Sequence, residues 1–258
     1  MSVIKSIVIA FSMFSIMPMP RVEWDKQNMK FALAFMPLVG AVIGAVLYGW
    51  LLINKLLGFG SILFAAGITA IPIAISGAIH MDGFCDTIDA LSSHADTEKK
   101  RAILKDPHTG AFAVIGACVY FLLYFTLATE LPMTFETVYT LGIIHVISRA
   151  LAGLVCAIMT PKERQGLGST FHDAASGASK LILWFIIGIA AAAIVLLDGL
   201  TGAFVLISAA IAVTYTVHIA RKEFGGISGD LAGFLIQLLE IAAVTIICIT
   251  WKVRAIWF

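Results

Sequence analysis

Three carboxylates, Asp82, Asp86 and Asp89, fall at i, i+4 and i+7 within the stretch His80-Met-Asp-Gly-Phe-Cys-Asp-Thr-Ile-Asp89. On a helix that spacing sets all three on one face, about a turn apart, where their charges repel unless a cation lies among them. A divalent metal answers the need. Oxygen-only ligands favour Mg²⁺ or Mn²⁺ over zinc, and Mg²⁺ takes few protein carboxylates because a phosphorylated substrate supplies further oxygens. The plain alternative is a solvated acidic helix end.

Other residues fit a phosphate-bearing substrate. Lys99, Lys100, Arg101 and Lys105 cluster after the aspartates; such clusters bind phosphate, signal topology or touch anionic lipid. Lys99 and Lys100 read as solvent-side topology residues, whereas Lys105-Asp106, beside Pro107-His108-Thr-Gly110, reads as part of a site. Arg149 interrupts an apolar run, where a central arginine costs about 3 kcal/mol on insertion scales. It is expected to face the bundle interior and pair with a ligand phosphate or with a carboxylate, Glu240 being the structural choice. His172 sits in the polar segment from Gln165, a substrate contact or a connector. In Gly225-Gly226-Ile-Ser-Gly-Asp230 the glycines let backbone approach a phosphate closely. His94, His145 and His218 lack a zinc-ligand spacing, and no P-loop, nucleophile elbow or dinucleotide fingerprint occurs. Nothing points to nucleic acid.

The elements that must position these residues are membrane helices. Of 258 residues 60% are hydrophobic and only 13% charged, with mean hydropathy +0.99, against a charged fraction of about a quarter in soluble domains. Residues 6–18 are too short to cross a layer that needs about 20 residues, so this N-terminal run is expected to be interfacial or re-entrant. Seven longer runs are expected to span: 31–53, 60–79, 110–129, 137–159, 181–197, 201–220 and 231–251. The fold class is thus an all-α polytopic bundle, with residues 1–258 as a single integral-membrane catalytic domain. The four cysteines show no paired pattern and read as packing residues.

Alternating loops place Lys5, Arg21, Lys26, Lys30, Lys99, Lys100, Arg101, Lys105, Lys162, Arg164, Lys180, Arg221 and Lys222 on one side, and Lys55, Lys252 and Arg254 on the other. By the positive-inside rule the first group is cytoplasmic. The aspartates, the 160–180 loop and the 225–230 loop share that face, so one site can gather them.

The blocks HMDGFCDTIDA (80–90), KDPHTGAFAV (105–114) and GGISGDLAG (225–233) resemble the signatures of the cobalamin synthase family, the adenosylcobinamide-GDP ribazoletransferases. FSMFSIMPMP (11–20) and PLVGAVIG (37–44) extend the resemblance over most of the chain. Met81, Cys85 and Ala90 depart from the commonest family residues, which bears on pocket shape but leaves the carboxylates untouched.

The resemblance implies a Mg²⁺-dependent transferase of the cytoplasmic (inner) membrane. The 3′-hydroxyl of α-ribazole, or of its 5′-phosphate, attacks the phosphate on the cobinamide aminopropanol of adenosylcobinamide-GDP, and GMP leaves. Asp82, Asp86 and Asp89 would hold the metal, and a spare carboxylate would take the hydroxyl proton. The expected substrate contacts are His80, Lys105, Asp106, His108, Arg149, His172, Gly225, Gly226 and Asp230. Membrane lipid and other cobalamin-assembly enzymes are the expected partners.

Three other readings compete. A CDP-alcohol phosphotransferase-like lipid enzyme would carry an aspartate array of different length with a further downstream pair, and an aspartate-rich prenyltransferase would carry two clusters. A transporter would place its carboxylates near the bilayer midplane in broken helices.

Overall fold

The computed structural model describes residues 2–162 and 167–257. Its helices, in order, are α1 (Ser2–Phe14), α2 (Lys26–Met29), α3 (Ala32–Leu57), α4 (Ser61–Ser76), α5 (Ile79–Ser92), α6 (Thr97–Ile103), α7 (Ala111–Thr129), α8 (Phe135–Ile158), α9 (Leu167–Ala174), α10 (Gly177–Ile219) and α11 (Gly229–Trp257), with a π-helical turn at Ala220–Phe224 after α10. Five stretches are long and apolar enough to cross a membrane: α3, α7, α8, α10 with its π turn, and α11; the bent pair α4–α5 makes a sixth. The protein is an all-α membrane bundle, as expected, and the N-terminal run forms the short apolar helix α1.

α10 has 43 residues, about twice the length that crosses a ~30 Å hydrocarbon layer. It breaks at Asp198 (φ −135, ψ 24) and Gly199 (φ 42, ψ −110). A Cβ on Gly202 would run into the Ile194 carbonyl, eight residues back, so the chain reverses there. Side-chain bonds agree: Ser179 reaches the Lys30 carbonyl near the start of α10, whereas Arg254, at the end of α11, holds Asp198 at 2.6 Å. The halves are the two spans expected at 181–197 and 201–220. Counted separately, and with α4, they bring the five stretches to seven crossings.

The run expected as one span over 60–79 ends sooner. α4 stops at Ser76, Gly77 and Ala78 both take left-handed φ (62 and 61), and α5 leaves at 94°. The Ala78 N–H bonds the Ile73 carbonyl at 2.9 Å and the Gly77 N–H the Ala74 carbonyl at 3.3 Å, which satisfies the last carbonyls of α4 and closes the helix. The aspartates therefore lie on a separate helix across the end of the bundle. Hydropathy could not locate the turn, because apolar residues continue to Ile79.

α3 and α8 form the most extensive helix pair. Gly44 lies against Gly142, where an added Cβ would meet backbone at 2.9 Å, and Gly40 faces the His145 carbonyl. Small residues one turn apart let two backbones approach closely where no hydrophobic force drives helices together. The block at 37–44 thus serves helix packing.

Candidate active site

α5 is the organising element. Its glycine, Gly83, lies against α11, where a Cβ would come within 2.7 Å of the Asp230 backbone, and Gly233 faces the His80 carbonyl at 2.8 Å. Phe84 stacks on Phe234 at 5.6 Å. This crossing brings Asp230, in the first turn of α11, into the electrostatic neighbourhood of Asp86 together with Asp82 and Asp89. The role of Gly83 and Gly233 escaped the sequence reading, although both lie inside the recognised blocks.

The three carboxylates share one face of α5, as the spacing requires, but their surroundings differ. Asp82 is exposed and lines a cavity of about 170 Å³. Asp86 is half-buried; burial, then the charges of Asp82, Asp230 and Asp89, raise its pKa against the pull of Lys162. Asp89 points at the start of α7, where its carboxylate fills the space a Cβ on Gly110 would need. Among the described residues, no three His, Cys, Asp or Glu side chains come together as a group able to hold a metal ion.

The cavity lies between Met13 and Phe14 of α1, Leu33 and Met36 of α3, His80 and Asp82 of α5, Phe171 of α9 and Asp230 of α11. His80 is 4% exposed and its Nε2 has no hydrogen-bond partner among the described residues. Burial, with the Arg149 charge near, lowers its pKa to about 3, so the ring is neutral. Phe14 stacks on His80 at 6.3 Å and meets Phe171 at 5.9 Å, which Trp24 contacts at 6.2 Å. Phe14 lies in the 11–20 block and Phe171 beside His172, but no spacing in the sequence joins the two, and only packing reveals the wall.

His172 is half-buried and its Nδ1 bonds the Cys156 carbonyl at 3.0 Å, tying α9 to α8. The polar segment that contains it begins at Gln165 and so partly falls, with the basic Arg164, on residues 163–166, outside those described. Lys105, Asp106 and His108 are exposed; His108 Nδ1 lies 2.7 Å from Asp106. They adjoin Gly110, at the Asp89 end of the acidic face, away from the cavity.

The glycine-rich turn is filled by protein. Gly225 has φ 69 and gives its space to the Arg101 guanidinium, whose Nε donates to the Phe224 carbonyl at 2.6 Å. Gly226 packs on the backbone of Thr160 and Lys162, and Ile227 pairs with that segment through bonds of 3.1 and 2.8 Å. Ser228 accepts from the Leu231 N–H at 3.3 Å, capping α11, and its hydroxyl also meets Asp230 at 3.2 Å. Lys100, read as a solvent-side residue, is instead 7% exposed and bonded to Glu223 of the π turn at 2.5 Å. A helical residue beside a lysine run can face inward, and α6 rolls Lys100 onto the π turn.

Arg149 is 1% exposed and pairs with Glu240, the structural partner expected for it. Ser148 donates to Glu240 at 3.0 Å and His145 Nδ1 lies 3.0 Å from the same oxygen. None of these four residues lines the cavity.

Fold and site together define a membrane-embedded helix bundle with an acidic helix and an aromatic cavity at one end. Residues 6–248 match the cobalamin-5-phosphate synthase family, and the chain belongs to it. A protein of Lachnoclostridium phytofermentans named adenosylcobinamide-GDP ribazoletransferase is 40% identical over 243 residues, 93% of this chain and 92% of its own. Proteins of the same name from Clostridium botulinum (strain Alaska E43) and Listeria welshimeri are 36% and 28% identical over 95% and 96% of this chain, which covers 97% and 98% of theirs. No solved structure matches the chain.

Proposed function

We propose that this protein is an adenosylcobinamide-GDP ribazoletransferase, joining the cobinamide phosphate to α-ribazole, or its 5′-phosphate, with release of GMP. The observation that carries the reading is the carboxylate face of α5, running from a cavity at Asp82 to the exposed Lys105–His108 segment beside Asp89, in a chain of this family. The family match does not favour the lipid phosphotransferase alternative.

In the reaction the acceptor's 3′-oxygen forms the new bond to phosphorus, the bond from that phosphorus to the GMP oxygen breaks, and the hydroxyl proton is lost. Whichever of Asp82, Asp86, Asp89 and Asp230 is left out of the metal's ligand set would accept that proton. Lys105 lies where it can meet phosphate at the other end of the face.

Mg²⁺ is the cofactor proposed. The donors fit it in kind, since Asp82, Asp86, Asp89 and Asp230 offer only oxygen and mutual repulsion that a cation would relieve. When bound it would neutralise phosphate oxygens. The protein is further proposed to reside in the cytoplasmic membrane with this site facing the cytoplasm, on the strength of the basic residues collected at that end.

The test is direct: purified protein in lipid, supplied with adenosylcobinamide-GDP, α-ribazole and Mg²⁺, should yield GMP and a cobalamin. Absence of GMP with inserted, folded protein would reject the reading. Asp82→Asn and Asp86→Asn should collapse the rate, with partial rescue at high Mg²⁺.

A further inference from the structure

The cavity beside Asp82 has a chemistry that the carboxylates alone do not explain. Its walls are Met13, Phe14, Leu33, Met36 and Phe171, apolar and partly aromatic. Besides Asp82, Ser228 and Asp230, the lining carries the His80 ring, 4% exposed, whose Nε2 has no hydrogen-bond partner among the described residues. Polar groups buried without partners are rare and ask for a ligand atom or a reason.

The reaction brings three bulky moieties to the protein. The corrin macrocycle is far larger than a space of about 170 Å³, since a cavity of about 150 Å³ is filled by benzene. The guanine of the guanosine diphosphate would bury an amine, a carbonyl and ring N–H groups against Met13, Leu33 and Met36, which offer them no hydrogen bonds. The flat base of the acceptor nucleoside is apolar, aromatic and of the right size.

From this we infer that the cavity is the subsite for the acceptor's base, with His80 Nε2–H donating to the one ring nitrogen that a benzimidazole leaves free. The inference rests on the transferase reading above. Phe14 and Phe171 supply the aromatic faces on which such a ring packs. The ribose then emerges on the side of Asp82, Ser228 and Asp230, with its hydroxyls directed toward the acidic face of α5. A purine in the same place would bury further ring nitrogens and an amine against Met and Leu side chains, so the subsite selects benzimidazole-type bases over adenine. Sites built around one such bond reject analogues lacking it strongly.

The experiment compares binding of two ribosides to the full-length protein in lipid nanodiscs: the benzimidazole riboside, and an indole riboside in which CH replaces the free nitrogen. Wild type should bind the indole compound roughly tenfold or more weakly. His80→Leu should bind both alike, and His80→Gln, which keeps a donor, should retain part of the preference. Met36→Phe fills the cavity from another helix, so it should raise the acceptor's KM in GMP release while leaving that of adenosylcobinamide-GDP unchanged. An unaltered preference in His80→Leu, or a Met36→Phe defect confined to the cobinamide substrate, overturns the subsite. Those results with normal wild-type GMP release would leave the transferase reading standing, whereas wild type that releases no GMP defeats that reading even if the riboside binds.

Discussion

Burial of Asp86, and then the charges of Asp82, Asp230 and Asp89 around it, push its carboxyl up to about 6 from an ordinary value of 3.8. A carboxyl whose folded pKa is raised favours the native state while protonated. The metal-free protein should therefore lose stability as pH rises from about 4 through 6. A bound cation reverses this, because ligands must be deprotonated and a positive charge offsets the repulsion. Mg²⁺ affinity in nanodiscs should accordingly weaken by about tenfold per pH unit below 6; a flat profile between pH 5 and 7 would remove Asp86 from the ligand set. Asp89 offers a second test at this scale. Its carboxylate occupies the space beside Gly110, so Gly110→Ala should swing it away and slow turnover about as much as Asp89→Asn. Residues acting through one contact are not additive, so the double variant should be no slower than either single one, whereas multiplied losses would separate the two positions.

At the scale of elements, two helix contacts hold the frame on which α5 rests. Arg149 and Glu240 join α8 to α11 inside the bundle, with Ser148 and His145 on the same carboxylate. Removing one partner of a buried pair strands the other charge and typically costs about 3–5 kcal/mol, while replacing both by apolar groups is often near neutral. Glu240→Ala should thus lower thermal stability sharply, and Arg149→Met with Glu240→Leu should restore most of it along with turnover. A stable double variant without activity would move Arg149 from the frame into substrate binding. The α3–α8 contact depends instead on small size: Gly44→Leu would drive a side chain into the Gly142 backbone. It should abolish folded, detergent-stable protein, with Gly49→Leu, where a Cβ meets nothing within 4 Å among the described residues, as the tolerated control.

For the whole molecule, the short helices α2, α5, α6 and α9 and the π turn gather at one end, while Lys55, Asp198 and Arg254 mark the other. Positive charge at the first end predicts that it is cytoplasmic. In a cysteine-depleted background, Lys99→Cys and Ala178→Cys should resist a membrane-impermeant thiol reagent added to intact cells, and Glu136→Cys should react. All three positions are exposed, so the opposite pattern would invert the topology and with it the side from which substrate is drawn.

Much of this was legible in the chain. Long apolar runs must be helices in lipid, since every backbone polar group has to be satisfied internally, and Asp198-Gly199 marks the break between two spans that the structure folds back on each other. The i, i+4, i+7 spacing placed three carboxylates on one helical face, because helical periodicity is local. Contacts between elements are not local. That α5 turns from α4 at Gly77-Ala78, that Gly83 seats it on Asp230, that Lys100 points inward to Glu223, and that Phe14 and Phe171 close a cavity over His80 all depend on partners distant in sequence. An individual side chain carries no record of which of these partners it will meet. Periodicity therefore decided the spans and the acidic face, and only packing decided the cavity.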